Sequence, residues 1–131
     1  MATDIRIVHA HDFIKATADG RLDLEMSKKL LAEIASATVS VPDYELLLDT
    51  RKAQMRMSVT DLWYLVTDTW YLSGKPVNAR GPFPRKTAVL CPLAEFDQAS
   101  FFALCAENRG LQVRAFSSFE DAIEWLMANE T

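Results

Sequence analysis

The feature that most constrains this chain is the short apolar run Tyr44-Glu45-Leu46-Leu47-Leu48, closed by Asp49. Its three consecutive leucines do not alternate with polar residues, so the strand they predict is covered on both faces. Such a strand belongs in the middle of a sheet sandwiched between helices, with parallel neighbours reached by crossover helices. Pro42-Asp43 breaks the chain before it. After Asp49 the segment 50–57 is polar and basic, with Arg51, Lys52 and Arg56. It predicts a loop at the strand's carboxyl end. The aromatic segment 58–71 then predicts a helix, with Ser58 as N-cap and Asp61 three residues on, close to a capping box. Ser73-Gly74 is its expected end.

The flanking chain fits this centre. Ile5 to Val8 and residues 13–18 predict a hairpin that ends at the turn signal Asp19-Gly20. Residues 24–37 predict a helix capped by Asp23, with Leu24, Leu30, Leu31, Ile34 and Ala35 near one face. Residues 87–91 predict a strand stopped by Pro92, and 96–108 a helix with Phe96, Ala99, Phe102, Ala103 and Ala106 inward and Gly110 as its end. Residues 112–116 predict a last strand. Ser118, with Asp121 at the third position, caps a final helix whose inner face carries Phe119, Ala122, Ile123, Leu126 and Met127. The order is β-β-α-β-α-β-α-β-α. It predicts one α/β domain over residues 1–131, with a mixed, mostly parallel sheet, an N-terminal hairpin and four helices.

Size and composition agree with one globular domain: 131 residues, 50% apolar and 24% charged. A net charge of -4 argues against nucleic acid as the main partner. No apolar run approaches the roughly 18–20 residues that span a bilayer, so no transmembrane segment is expected. The N-terminus lacks the pattern of a secretory signal, and Cys91 and Cys105 then read as free thiols in a reducing, cytoplasmic setting.

Three stretches resemble the SpoIIAA-like (STAS-type) domains, a group also compared with the lipid-binding SEC14 domains. They are Leu46-Leu47-Leu48-Asp49, the strand and turn Lys86-Thr87-Ala88-Val89-Leu90-Cys91-Pro92, and the tail from Val113 through Phe116, Ser118 and Asp121 to Trp125-Leu126. The resemblance spans nearly the whole chain and implies a single-domain STAS/SpoIIAA-like fold. Signalling members carry Asp-Ser-Ser-Gly at the start of the helix after the central strand, where a partner kinase phosphorylates a serine. Here Met57-Ser58-Val59-Thr60-Asp61 stands in its place. The motif is absent, and Ser58 or Thr60 is the nearest phosphorylatable position.

Candidate sites cluster around the central strand. Carboxyl ends of parallel strands are where open α/β folds bind ligands. Asp49, Arg51, Lys52, Arg56, Ser58 and Thr60 there form a candidate anion or partner site, since a helix N-terminus and guanidinium groups both favour negative charge. Met55, Met57, Trp63, Tyr64, Trp70, Tyr71 and Phe83 are candidates for a hydrophobic ligand site or an interface. Trp63 and Trp70 lie seven apart, about 20° from the same helical direction, and two exposed indoles would make a patch that monomers rarely show. The same aromatics could equally fill the core. Residues 74–85, rich in Gly and Pro, read as a surface loop or a lid.

No catalytic motif is present. His9 and His11 lack a third ligand, so no metal is expected, and no base stands beside either cysteine in sequence. No cofactor is implied. The leading expectation is therefore a non-catalytic binding or regulatory module acting through a protein partner or homodimer at the helix over 58–71 and the loop before it. A carrier of a small lipophilic ligand is the alternative, and a phosphorylatable switch resembling the anti-sigma-factor antagonists is third. A small anionic ligand also remains open.

Overall fold

The computed structural model describes residues 4–9, 13–37, 44–72, 86–108 and 110–128, with side chains at all of these except 4, 35 and 67–72. The hairpin strands are β1 (Asp4–His9) and β2 (Ile14–Leu22), followed by α1 (Leu24–Ala37). The centre is β3 (Glu45–Met55) and α2 (Val59–Leu72). Then come β4 (Lys86–Leu90), a 3-10 turn (Leu93–Glu95), α3 (Phe96–Glu107), β5 (Val113–Phe116) and α4 (Phe119–Met127). The expected order of elements holds. The strands lie in the order β1-β2-β3-β4-β5, antiparallel between β1 and β2 and parallel from there on.

Because each crossover advances one strand in the same direction, right-handed connections place α1, α2 and α3 on one face of the sheet. Helix α4 leaves β5 and returns over the other face. Two apolar layers result. Leu46 and Leu48 join Leu30, Ile34, Val66, Val89 and Ala103 under the three helices, while Leu47 joins Ala88, Leu90, Ala122 and Leu126 under α4. The leucine run is thus buried on both faces, which is why it shows no alternation.

Strands β2 and β3 are longer than their sequences suggest. Asp19-Gly20 does not turn the chain; Gly20 takes φ 107° and β2 runs on to Leu22. Strand β3 continues past Asp49 to Met55, so residues 50–55 are strand and not loop. The two extensions pair with each other, Asp19 opposite Lys52 through Leu22 opposite Met55, after a register shift that gives β3 one extra residue. Past Asp49, which lies level with Leu90 at the end of β4, this pair stands beyond the rest of the parallel sheet. Among the described residues no strand pairs with it on the β4 side here, and its outward residues are polar and mimic a loop. Thr50, 1% exposed, donates its hydroxyl to the Leu90 carbonyl at 3.0 Å where β4 stops.

The expected caps form. Asp23 Oδ1 accepts from the Met26 amide at 2.9 Å, and Ser118 Oγ from the Asp121 amide at 3.4 Å. Ser58 Oγ accepts from the Asp61 amide while the Asp61 carboxylate accepts from the Ser58 amide, both at 3.1 Å, a complete capping box. Gly110, at φ 84°, closes α3. One device has no local sequence signal. Lys86 is 4% exposed, and its ammonium donates to the Trp125 and Ala128 carbonyls at 2.9 Å each, tying the end of α4 to the start of β4.

Candidate functional site

The polar candidates divide between the two faces of the sheet. Asp49 is 5% exposed and lies on the α4 face, in register with Thr17. Arg51, two residues on along β3, has its side chain on the same face. Its Nε donates to Asp49 Oδ1 at 3.0 Å and its Nη2 to Oδ2 at 2.8 Å, a two-point fork, while its backbone amide also donates to Oδ1 at 3.1 Å. Lys15 Nζ stands 3.7 Å from Oδ2. Burial works to raise the Asp49 carboxyl. The Arg51 side-chain and backbone hydrogen bonds, with the Arg51 and Lys15 charges, outweigh it and hold the group below the ordinary carboxylate range. Arg51 also lies over the Phe119 ring at the start of α4, 5.7 Å from its centroid. This guanidinium is committed to Asp49 and α4.

Ser58, Thr60 and the start of α2 belong to the opposite, three-helix side. Arg56 lies three residues before the first residue of that helix; it is exposed, and its amide donates to the Leu22 carbonyl at 2.8 Å. The six polar candidates are therefore two groups: Asp49 and Arg51, with exposed Lys52, around the carboxylate, and Arg56, Ser58 and Thr60 at the mouth of α2.

The apolar candidates also separate. Met55 and Met57 line a cleft of about 30 Å³ under α1, α2 and α3, together with Leu22, Leu30, Leu62 and Phe102. Ser27 and Thr50 line it too, and the Ser27 hydroxyl, in a residue 4% exposed, has no hydrogen-bond partner among the described residues. Nothing in the sequence marks Ser27; its place on the inward face of α1 is the only signal, and a serine there reads as an ordinary surface residue. Trp63 and Tyr64 do not line the cleft. They are 45% and 49% exposed, on the outer side of α2, with rings edge to face at 5.2 Å. Val59, one turn before Trp63, is 64% exposed. Helix α2 buries Leu62, Leu65 and Val66, which share one face at helical spacing. The side chains of Thr69, Trp70 and Tyr71 lie outside the described residues, as do Phe83, His11 and the whole segment 74–85.

Cys91 is buried beside the Phe116 carbonyl, 3.6 Å from its sulfur. Burial first, and Glu95 second, push its thiol up to about 11, so it carries almost no thiolate at neutral pH. Among the described residues no three His, Cys, Asp or Glu side chains group as a metal site, and no helix is long and apolar enough to cross a membrane.

Comparison with known proteins gives the fold a name. No family model and no curated protein matches the chain. Among solved structures it is similar to an uncharacterised protein of the DUF3478 family with a SpoIIAA-like fold from Shewanella loihica PV-4. That likeness has TM-score 0.57 and 17% identity, covering 95% of this chain and 93% of that one. It is also similar to an anti-sigma factor antagonist from Mycobacterium paratuberculosis, with TM-score 0.60 and 12% identity over 97% and 96% of the two chains. The fold is SpoIIAA-like, of STAS type, as the three sequence stretches imply.

Proposed function

We propose that this chain is a cytoplasmic, non-catalytic regulatory module that acts by presenting the outer side of α2, with Arg56 before it, to a protein partner. The observation that carries the reading is the pair Trp63 and Tyr64. Two large aromatics half out of the protein, next to an exposed valine, form the kind of patch that binding surfaces use. Aromatics and arginine are the residue types that most often anchor interfaces. Similarity to a structure described as an anti-sigma factor antagonist supports a regulatory role.

The test is quantitative capture of partners from the source cells on the tagged wild type and on a Trp63→Ala/Tyr64→Ala variant, with the melting temperature of each recorded. A specific partner lost on the variant while the fold stays intact supports the reading. Equal capture by both proteins contradicts it.

The cleft under α1–α3 favours a second reading, a site for a small lipophilic ligand. Its lining is apolar apart from Ser27 and Thr50, and the Thr50 hydroxyl already has an acceptor. Among the described residues of the lining, Ser27 offers an unpartnered hydroxyl that a ligand oxygen could accept from. At about 30 Å³ the cleft has room for about two waters, so a ligand requires the helices to part. Native mass spectrometry of the protein as purified from cells decides this. A recurrent bound mass supports the reading, and its absence over repeated preparations ends it. In the phosphoswitch reading, exposed Thr60 in the first turn of α2 is the more accessible hydroxyl, since Ser58 Oγ is engaged in the capping box. Phosphopeptide mapping after incubation with cell extract and ATP tests it.

A further inference from the structure

The sheet is covered unequally. Three helices lie over one face, whereas on the other α4 covers β3, β4 and β5 and no described element covers β1 and β2. Strands lie about 4.8 Å apart and a helix is about 10 Å across, so the open part is one helix wide. The register places Arg6 and Val8 of β1 on its floor, with Lys15, Thr17, Asp19 and Arg21 of β2. Arg51 and Lys52 of β3 lie along its inner border. Five cations thus share this face with three acidic positions, Asp4, Asp19 opposite it, and the buried Asp49 that Arg51 clamps, on a chain whose net charge is -4. Positive charge is concentrated on this strip, and the rest of the molecule is correspondingly more acidic.

The wall of the strip is α4, and it carries the opposite character. Glu120, Asp121 and Glu124 are exposed on its outer side. On the flank nearest the strip, which Arg51 marks by lying over Phe119, are Phe119 at 40% exposure, half-buried Ile123 and Met127 at 39%. Trp125 is on the far flank, against Arg114 of β5.

We propose that the open half-sheet is a dimer surface that receives α4 of a second copy of this chain. A two-fold axis parallel to α4, along the step between helix and strip, places each α4 over the strip of the other copy. Both contacts are then identical, and the assembly closes at two. The two helices lie side by side in one layer between two sheets. Glu120 and Glu124 of each copy meet Arg6 and Lys15 of the other, and Phe119, Ile123 and Met127 meet their own counterparts along the seam. The patch is self-complementary because its acidic and basic halves adjoin on one face. Helix α4 has nine residues, about 14 Å, so the interface belongs to the small, charge-dependent class, and its affinity falls as salt is raised. This surface is distinct from the outer side of α2, so the fate of one proposal leaves the other standing.

Charge exchange tests it. The full chain is studied by sedimentation velocity over a concentration series at low and high salt. The wild type is expected to dimerise, with a dissociation constant that rises about tenfold or more on adding salt. Arg6→Glu/Lys15→Glu and Glu120→Lys/Glu124→Lys are each expected to be monomeric, and an equimolar mixture of the two to recover a heterodimer. If the first variant fails to fold, Arg6→Gln/Lys15→Gln replaces it and is expected to weaken the dimer about tenfold. A wild type that is monomeric at every concentration overturns the proposal. So does a dimer indifferent to these substitutions, or folded variants whose mixture stays monomeric.

Discussion

The two faces of the sheet solve the same burial problem differently. Under α1, α2 and α3 the layer is broad and built from many small and medium side chains, Ala16, Ala18, Ala99, Ala103 and Ala106 among them, and it leaves a cleft with an unpartnered hydroxyl. Under α4 the layer is narrow and tight, with Leu47, Ala88, Leu90 and Ala122 all fully buried. Its rim is polar and organised: Asp49 clamped by Arg51, and Lys86 closing the end of the helix. The broad layer leaves a small cavity between its helices, while the narrow one carries an ordered polar rim.

The largest effect expected from breaking this contrast is at Leu47. It is fully buried between β3 and α4, and Leu47→Ala is expected to cost about 3–4 kcal/mol because the tight layer cannot collapse around the gap. Urea denaturation measures it. A loss under about 1.5 kcal/mol would mean that the α4 layer is no tighter than the other.

Next is Asp49→Asn, expected to cost about 2 kcal/mol at neutral pH through loss of charge-assisted hydrogen bonds to Arg51. The sign with pH follows from the lowered carboxyl. Folding stabilises the ionised form, so the contribution is complete above the unfolded-state value near 4 and disappears as pH falls through the lower folded-state value. Wild type and variant stabilities should therefore converge in acid. Parallel curves down to about pH 2 would show that the clamp contributes nothing electrostatic.

The smallest stability effect has the opposite sign. Ser27→Ala removes a buried hydroxyl without a partner and is expected to stabilise the protein by about 1 kcal/mol. Destabilisation of that size would show that the hydroxyl is satisfied in solution, by water or a bound ligand.

What was legible in the sequence was local or repetitive. The caps at Asp23, Ser58 and Ser118 depend on residues three apart, and the leucine run betrays burial on two faces by its lack of alternation. The extension of β2 and β3 was hidden because it depends on pairing between residues about 33 apart, as Asp19 is from Lys52. The loop expected over 50–57 also hides the clamp. Asp49 and Arg51 are two apart, which in a loop means little and in a strand means one face. Lys86 and Ser27 were hidden for a related reason: each is buried by an element distant in sequence, α4 for the lysine and the packed helices for the serine. Of the candidate site, the methionines converge on the cleft and the exposed pair on α2 stands apart from it, a division that no spacing rule could draw.

Site-specific photocrosslinking in the source cells most directly tests whether a partner binds the outer side of α2. A photoreactive amino acid is placed at Tyr64 and, in a separate protein, at Leu104 of α3, which is 55% exposed. Binding at α2 is expected to give one discrete crosslinked product from position 64, suppressed by Trp63→Ala, and none from position 104. Equal products from both positions, or a product from 64 that survives loss of the indole, would contradict it.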